Sequence, residues 1–317
     1  MTHLAWDLLL LASGLALLVA GGEGLVRGST DLAARLGLSK LIVGLVILGF
    51  GTSAPELLVS IQAALAGSPA ISIGNVVGSN IANVLLIIGL VALIAPLPNR
   101  DPAIRRDAAV TLAASIVIVL LFLTGTIDRI AGFLLFGALL VYVAVCYVLE
   151  TRRARASAQG DEAVETASMS PLLAGVAVVA GVAMLVFSAR FMVDGATGIA
   201  RDLGISEAVV GLTIVAIGTS LPELATAIVA ARKNESELVL GNVFGSCIFN
   251  ILCILGITAI IMPIPVDERF AFVDGPVMIA VAAASAVYLF TRGVIGRKTG
   301  AAMLLAYGGY LVAQAGI

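Results

Sequence analysis

Ten mainly apolar stretches divide this chain, at 4–26, 41–66, 71–95, 108–124, 130–149, 171–192, 208–231, 237–262, 273–291 and 300–316. Each is near the length of about 20 residues that a helix needs to cross hydrocarbon. None alternates apolar and polar residues as the strands of a membrane barrel do, so the expected fold class is an all-α polytopic membrane protein with ten transmembrane helices. Composition agrees: only 12% of the residues are charged, about half the share that a water-wetted surface carries. A net charge of -2 supplies no basic face for nucleic acid. Cys146, Cys247 and Cys253 form no C-x-x-C pair and read as small buried hydrophobes. The first stretch has no basic residue ahead of it and carries Asp7, so it reads as a retained helix with Trp6 as an interfacial anchor and His3 in a solvated tail.

Ten crossings put both termini and the even-numbered loops on one side. The odd-numbered loops then collect Arg27, Arg35, Lys40, Arg100, Arg105, Arg106, Arg152, Arg153, Arg155, Arg232, Lys233, Arg292, Arg297 and Lys298, leaving Arg129, Arg190, Arg201 and Arg269 opposite. The positive-inside rule makes the odd loops cytoplasmic and both termini extracytoplasmic, in a cell inner membrane or plasma membrane. Between Glu150 and Ser170 a polar segment with Asp161, Glu162 and Glu165 reads as a cytoplasmic linker, too short for a folded domain.

The chain repeats itself. GTSAPELLVSIQAA from Gly51 matches GTSLPELATAIVAA from Gly218, and GNVVGSNIANVLLIIG from Gly74 matches GNVFGSCIFNILCILG from Gly241, with 19 identities in 40 positions at a constant offset of 167. Shared Gly, Asn, Ser, Pro and Glu in register mark an internal duplication. The expected organisation is a first five-helix repeat over 1–149 (motif 44–90), a linker over 150–170 and a second repeat over 171–317 (motif 211–257). Five crossings is an odd number, so the second copy enters from the opposite face. Inverted repeats are a transporter architecture whose substrate site lies near the midplane, between interrupted helices. Pro55 and Pro222, which lack the N–H owed to Gly51 and Gly218, mark the interruptions.

A carboxylate follows each proline, Glu56 and Glu223, where an uncompensated charge is costly. Thr52 and Ser53, or Thr219 and Ser220, precede it. On the next stretch Asn75, Ser79 and Asn83, or Asn242, Ser246 and Asn250, fall four apart and share one helix face. Together they make a pocket of oxygens without imidazole or thiolate, which suits Ca2+ through the carboxylates and Na+ through hydroxyls and carbonyls. Gly74, Gly78, Gly241 and Gly245, at G-x-x-x-G spacing, read as close-packing surfaces. Glu23 aligns with Arg190 and Arg27 with Asp194 across the repeat, as interfacial or interhelical charge pairs.

GTSAPE with GNVVGSNIAN, and GTSLPE with GNVFGSCIFN, resemble the alpha-1 and alpha-2 repeats of the cation/calcium antiporter superfamily, and the whole chain is similar to a prokaryotic sodium/calcium exchanger. The resemblance implies that Glu56 and Glu223 bind Ca2+ with the Thr52 and Thr219 carbonyls. It places Na+ at Ser53, Ser220, Ser79, Ser246 and the Gly49 and Ala216 carbonyls, with Asn83 and Asn250 at the centre. Many relatives carry Asp where this chain has Asn250. The implied function is exchange of Na+ for Ca2+, with both ions competing for one site, by alternating access. H+/Ca2+ or K+-dependent exchange at the same site is the alternative. The expected partners are the two ions and the lipid bilayer, with no cofactor, no enzymatic activity and no obligatory protein partner. A hydrolase would need an activated nucleophile, and no base stands beside Ser53 in the sequence.

Overall fold

The computed structural model describes residues 2–36, 43–99, 101–157, 169–202 and 216–315. Expectations for Lys40, Arg100, Asp161, Glu162, Glu165 and the first residues of the seventh stretch lie outside these, as do those for the side chains of Arg153, Arg155 and Arg201. The described chain is helical almost throughout. The helices are α1 (Thr2–Leu36), α2 (Val43–Thr52), α3 (Ala54–Leu65), α4 (Pro69–Ile94), α5 (Pro102–Phe122) and α6 (Arg129–Ser157). After these come α7 (Pro171–Asp202), α8 (Ala216–Thr219), α9 (Leu221–Arg232), α10 (Ser236–Ile261), α11 (Phe270–Thr291) and α12 (Arg297–Ala315).

Among the described residues six helices are long and apolar enough to cross a membrane unaided, and the pair α2 and α3, bent by 43°, makes a seventh if it is one span. Where they are described, the remaining expected stretches, 108–124, 208–231 and 300–316, overlap α5, α8 with α9, and α12. Leu172, Val179, Ile130, Leu134 and Leu305 are each more than two-thirds exposed. Such a band of bare aliphatic side chains belongs against lipid, where it costs nothing to leave it uncovered. The chain is a multi-pass membrane protein.

One boundary differs from expectation. α5 starts at Pro102, with the Asp101 carboxylate capping it by accepting the Ala103 N–H at 2.8 Å. Arg105, Arg106 and Asp107 are therefore helical, where the sequence reading put them ahead of the span. Asp107 is fully buried, held by Arg106 Nε at 2.7 Å and by the Tyr142 hydroxyl of α6 at 2.7 Å.

The offset seen in the sequence governs local structure. α3 and α9 begin and end 167 residues apart, and so do the first α-helical parts of α4 and α10, Pro69–Ala82 and Ser236–Phe249. Both then widen into a π-helical turn, over Asn83–Ile87 and Asn250–Leu255. Even the left-handed residue after the broken helix recurs, as Gly67 with φ 76° and Asn234 with φ 59°. These two residue types tolerate that region best.

Two short antiparallel ladders connect the parts. β1 (Leu97–Pro98) pairs with β4 (Val294–Ile295), and β2 (Thr126–Ile127) pairs with β3 (Ile264–Pro265). Each joins a linker of the first half to a linker of the second. α4 and α10 form the centre, with 72% and 83% of their most apolar windows buried, against 17% for α1 and 24% for α7.

α1 and α7 pack mainly on each other, antiparallel, through small residues spaced by seven. A Cβ on Gly14 would lie 3.1 Å from the Ser188 carbonyl oxygen, one on Gly21 3.0 Å from that of Gly181, and one on Gly28 2.7 Å from that of Ala174. Asp7 completes the row, its carbonyl oxygen 2.6 Å from a Cβ built on Gly195. Small residues at this spacing let two backbones approach in lipid, where helices attract mainly by close packing. The G-x-x-x-G expectation holds in part. Gly245 meets the Leu45 backbone, and Gly241 packs beside Gly44, but Gly78 has nothing within 4 Å among the described residues and Gly74 only ordinary contact with Phe270. The residue that aligns with Leu45 across the repeat, Leu212, is outside the described residues.

Gly181→Ala should lower the thermal unfolding midpoint in detergent. Its Cβ would sit 2.7 Å from the Leu25 amide nitrogen, and overpacking of this kind costs about 1–3 kcal/mol. Gly137→Ala on α6, with open space around it, is the control and should leave the midpoint unchanged or raise it. Equal midpoints for the two variants would mean that the α1–α7 seam is loose.

Candidate functional site

The two breaks are built alike. Ser53 and Ser220 have ψ near 4° in place of a helical value, so the axis turns, and the following helix starts with a proline in its first turn. Proline tolerates that place because its missing N–H is unneeded there. The Thr52 hydroxyl donates to the Leu48 carbonyl at 2.9 Å, which satisfies backbone in the turn before the break. Glu56 and Glu223 lie one residue past the prolines, and both are fully buried.

Asn75 and Asn242 clamp each broken helix to its neighbour. Asn75 donates to the Glu56 carbonyl at 3.1 Å and the Ser60 hydroxyl at 3.0 Å; Asn242 donates to the Glu223 carbonyl at 3.4 Å and the Thr226 hydroxyl at 3.1 Å. These asparagines, the first of each expected stripe, therefore hold backbone in place.

The breaks also reach across to each other. The Ser53 hydroxyl donates to Glu223 Oε1 at 3.4 Å, and Thr52 and Ser246 flank the same carboxylate. The Ser246 hydroxyl lies 3.3 Å from Thr52 Oγ1 and donates to the Gly49 carbonyl at 3.3 Å. That approach needs a glycine, because a Cβ on Gly49 would stand 3.0 Å from the Ser246 amide nitrogen. The two carboxylates are close enough to repel, and among the described residues no basic side chain pairs with either.

Among the described residues several buried polar atoms have no hydrogen-bond partner: both carboxylate oxygens of Glu56, Glu223 Oε2, the Ser220 hydroxyl, both amide atoms of Asn83 and Asn250 Oδ1. A buried polar atom normally finds a partner, and a row of orphaned acceptors on neighbouring helices asks for a cation. Oxygen donors with two carboxylates match a hard cation, Ca2+ or Na+, and among the described residues no cluster of three His, Cys or acidic ligands of the kind zinc or copper would require is present.

Of the residues expected at the site, Gly49, Thr52, Ser53, Glu223 and Ser246 are joined directly, and Glu56, Asn83, Ser220 and Asn250 are buried with orphaned atoms. Ser79 and Thr219 are buried on α4 and α8. Ala216 opens α8, and its side chain is outside the description. Asn80 was not among the expected residues. It donates to the Cys247 carbonyl at 3.2 Å and accepts from Asn250 Nδ2 at 3.0 Å. Its signal in the sequence is a polar residue inside the repeated motif that breaks the repeat, Asn80 against Cys247. Glu23 is bonded by Arg27 on its own helix and, between helices, by Lys233 at the end of α9 at 2.9 Å.

Comparison with known proteins agrees with this geometry. The family model described as sodium/calcium exchanger protein matches residues 6–148 and 173–316. Sodium/calcium exchanger MaX1 of Methanosarcina acetivorans is 32% identical, covering 96% of this chain and 97% of its own. Putative antiporter CaxA of Alkalimonas amylolytica is 36% identical over 94% of this chain and 95% of its own. Among solved structures, the sodium-calcium exchanger NCX_Mj soaked without Na+ and Ca2+ superposes with a TM-score of 0.85 at 30% identity, covering 98% of this chain and 99% of that one. The chain belongs to the sodium/calcium exchanger family of the cation/calcium antiporter superfamily, and it is a membrane antiporter and not an enzyme.

Proposed function

We propose that this protein exchanges Na+ for Ca2+ across the membrane, with both ions competing for one midplane site built around Glu56 and Glu223. The observation that carries the reading is the pair of fully buried carboxylates with orphaned oxygens at two matched helix breaks. Glu56 and Glu223 supply two negative charges. One Ca2+ or two Na+ neutralise them, whereas the empty site leaves two like charges facing each other in a poor dielectric. Exchange is thereby favoured over leak. A third Na+ would give the loaded site a net positive charge and make transport voltage-sensitive, at about 2.3 kcal/mol per charge per 100 mV.

In this reading the Ca2+ ligands are Glu56, Glu223 and the Thr52 and Thr219 carbonyls. Na+ is held by Ser53, Ser79, Ser220, Ser246 and the Gly49 and Ala216 carbonyls, around Asn83 and Asn250. Ten crossings form two inverted repeats, over 1–149 and 171–317, joined by the cytoplasmic linker 150–170, and both termini are extracytoplasmic in an inner or plasma membrane. The corresponding breaks, π-helical turns and exchanged strand pairs support that organisation. Alternating access comes from the α1–α7 pair moving over the rest. The pair is far less buried than α4 and α10, and it lays Val182 over Gly51 of one break and Val193 over Gly218 of the other. Displacing it along its axis would uncover the two breaks in turn.

Uptake of radioactive Ca2+ into proteoliposomes should be driven by an outward Na+ gradient and not by an outward H+ gradient at matched membrane potential. Uptake on protons alone would keep the site and change the driving ion. Glu56→Gln and Glu223→Gln should each reduce uptake to the level of protein-free vesicles, and wild-type flux in either would remove the proposed site.

Ser53→Ala and Ser220→Ala should raise the half-saturating Na+ concentration more than that for Ca2+. One neutral hydrogen-bonding group is worth about 1 kcal/mol, roughly fivefold in affinity. The reverse pattern would exchange the ligand assignments.

A further inference from the structure

Two amides at matching positions, Asn83 and Asn250, behave differently. The cause lies three residues before each, at Asn80 and Cys247. Asn80 Nδ2 is 3.2 Å from the Cys247 carbonyl, which also takes the Asn250 backbone N–H. A backbone carbonyl can only accept. The contact therefore settles which end of the Asn80 amide is which: the NH2 is on the carbonyl and Oδ1 is on the other side. Oδ1 in turn stands 3.0 Å from the Asn250 amide nitrogen and accepts from it. One end of Asn250 is thus committed to Asn80, and the other, Oδ1, is buried with no partner among the described residues. Asn83 has no comparable support among the described residues. Its counterpart of Asn80 is Cys247, whose thiol lies beside Asn83 but is turned to the Asn80 carbonyl at 3.9 Å, and neither Asn83 amide atom has a hydrogen bond there.

We propose that Asn80 is a positioning residue that holds the Asn250 amide with its carbonyl oxygen, and not its NH2, toward the transported cation. The proposal rests on the antiport reading above. An amide turned the other way would present two N–H protons to a cation and repel it. Side-chain amides rotate unless something holds them, and here the holding chain runs from a rigid helix carbonyl through Asn80 to Asn250. The chain also requires that position 250 donate to Asn80. An ionised carboxylate there would set two acceptors against each other with no proton between them. The duplicated site is therefore functionally lopsided. Asn250 is a fixed neutral oxygen ligand, and for Asn83 no amide among the described residues fixes which end faces an ion.

The test is a double-mutant cycle in the full-length protein, read as half-saturating Na+ and Ca2+ concentrations and maximal rate in proteoliposomes. Asn80→Ala should raise the half-saturating concentrations about fivefold, the equilibrium factor of one ordinary hydrogen bond, with little change in maximal rate. Asn250→Ala should raise them at least as much. The two together should be no worse than Asn250→Ala alone, because without the Asn250 amide there is nothing left to orient. Effects that multiply in the double variant, or an Asn80→Ala variant that transports as the parent does, would overturn the proposal. Should Asn80→Ala not fold, Asn80→Ser takes its place in the cycle, since its hydroxyl is one bond shorter and stops short of both partners. If the wild-type protein exchanges no Ca2+ for Na+, the antiport reading itself falls. The same cycle, read as the shift in unfolding midpoint on adding Na+ or Ca2+ to purified protein, then decides whether Asn80 acts through Asn250 on a bound cation.

Discussion

Two carboxylates with no basic partner among the described residues, Glu56 and Glu223, are fully buried, away from bulk water. An ion pair built from side chains would have satisfied them permanently and left nothing to transport. Among the described residues three of their four oxygens are instead unpartnered, with hydroxyls and amides around them; in the function proposed above, neutralisation comes from the transported ion. The rest of the architecture serves that requirement. The helices must be interrupted to bring the carboxylates and hydroxyls to one level. The interruptions must then be clamped, which Asn75 and Asn242 do through the Glu56 and Glu223 carbonyls. The clamped helices must be enclosed, which falls to α4 and α10, the most deeply buried helices.

Duplication solves the geometry twice with one set of local rules. A serine with ψ near zero, a proline in the next turn and a π-helical widening opposite recur in both copies. Exact symmetry is nevertheless broken where it touches chemistry. Asn80 faces Cys247 across the interface, and the two side chains bond each other's backbone carbonyls with different strength. Lys233 reaches Glu23, while the positions related to these by the offset are Ala66 and Arg190, which cannot form such a pair.

Much of this was legible in the sequence, for reasons specific to each residue. Glu56 and Glu223 stand out because a charge in the middle of an apolar run has few structural uses, and Pro55 and Pro222 because an interior proline breaks a hydrogen bond wherever it falls. Repetition at a constant offset then located their partners. Other features depend on which surfaces meet. The seven-residue rhythm of Gly14, Gly21 and Gly28 acquires meaning only once α7 supplies Ala174, Gly181 and Ser188 opposite. The start of α5 was misplaced because Arg105 to Asp107 look like a loop until Tyr142 of α6 is seen to bury Asp107. Asn80 escaped because its role is relational: it matters through the orientation it imposes on Asn250.

The crossed pairing of the short strands also bears on how the protein is made. β1 at Leu97 waits for β4 at Ile295, and the break that holds Glu56 waits for the helices that hold Ser246 and Asn250. At a synthesis rate of about 5–20 residues per second, the first half stays in the membrane for roughly 10–40 s before its strand partner exists. Throughout that interval Glu56 lacks the enclosure that the second half provides. Biogenesis therefore depends on the lipid, or on another protein, tolerating an unfinished half-site. A nascent chain halted near the linker should be the species most exposed to quality control.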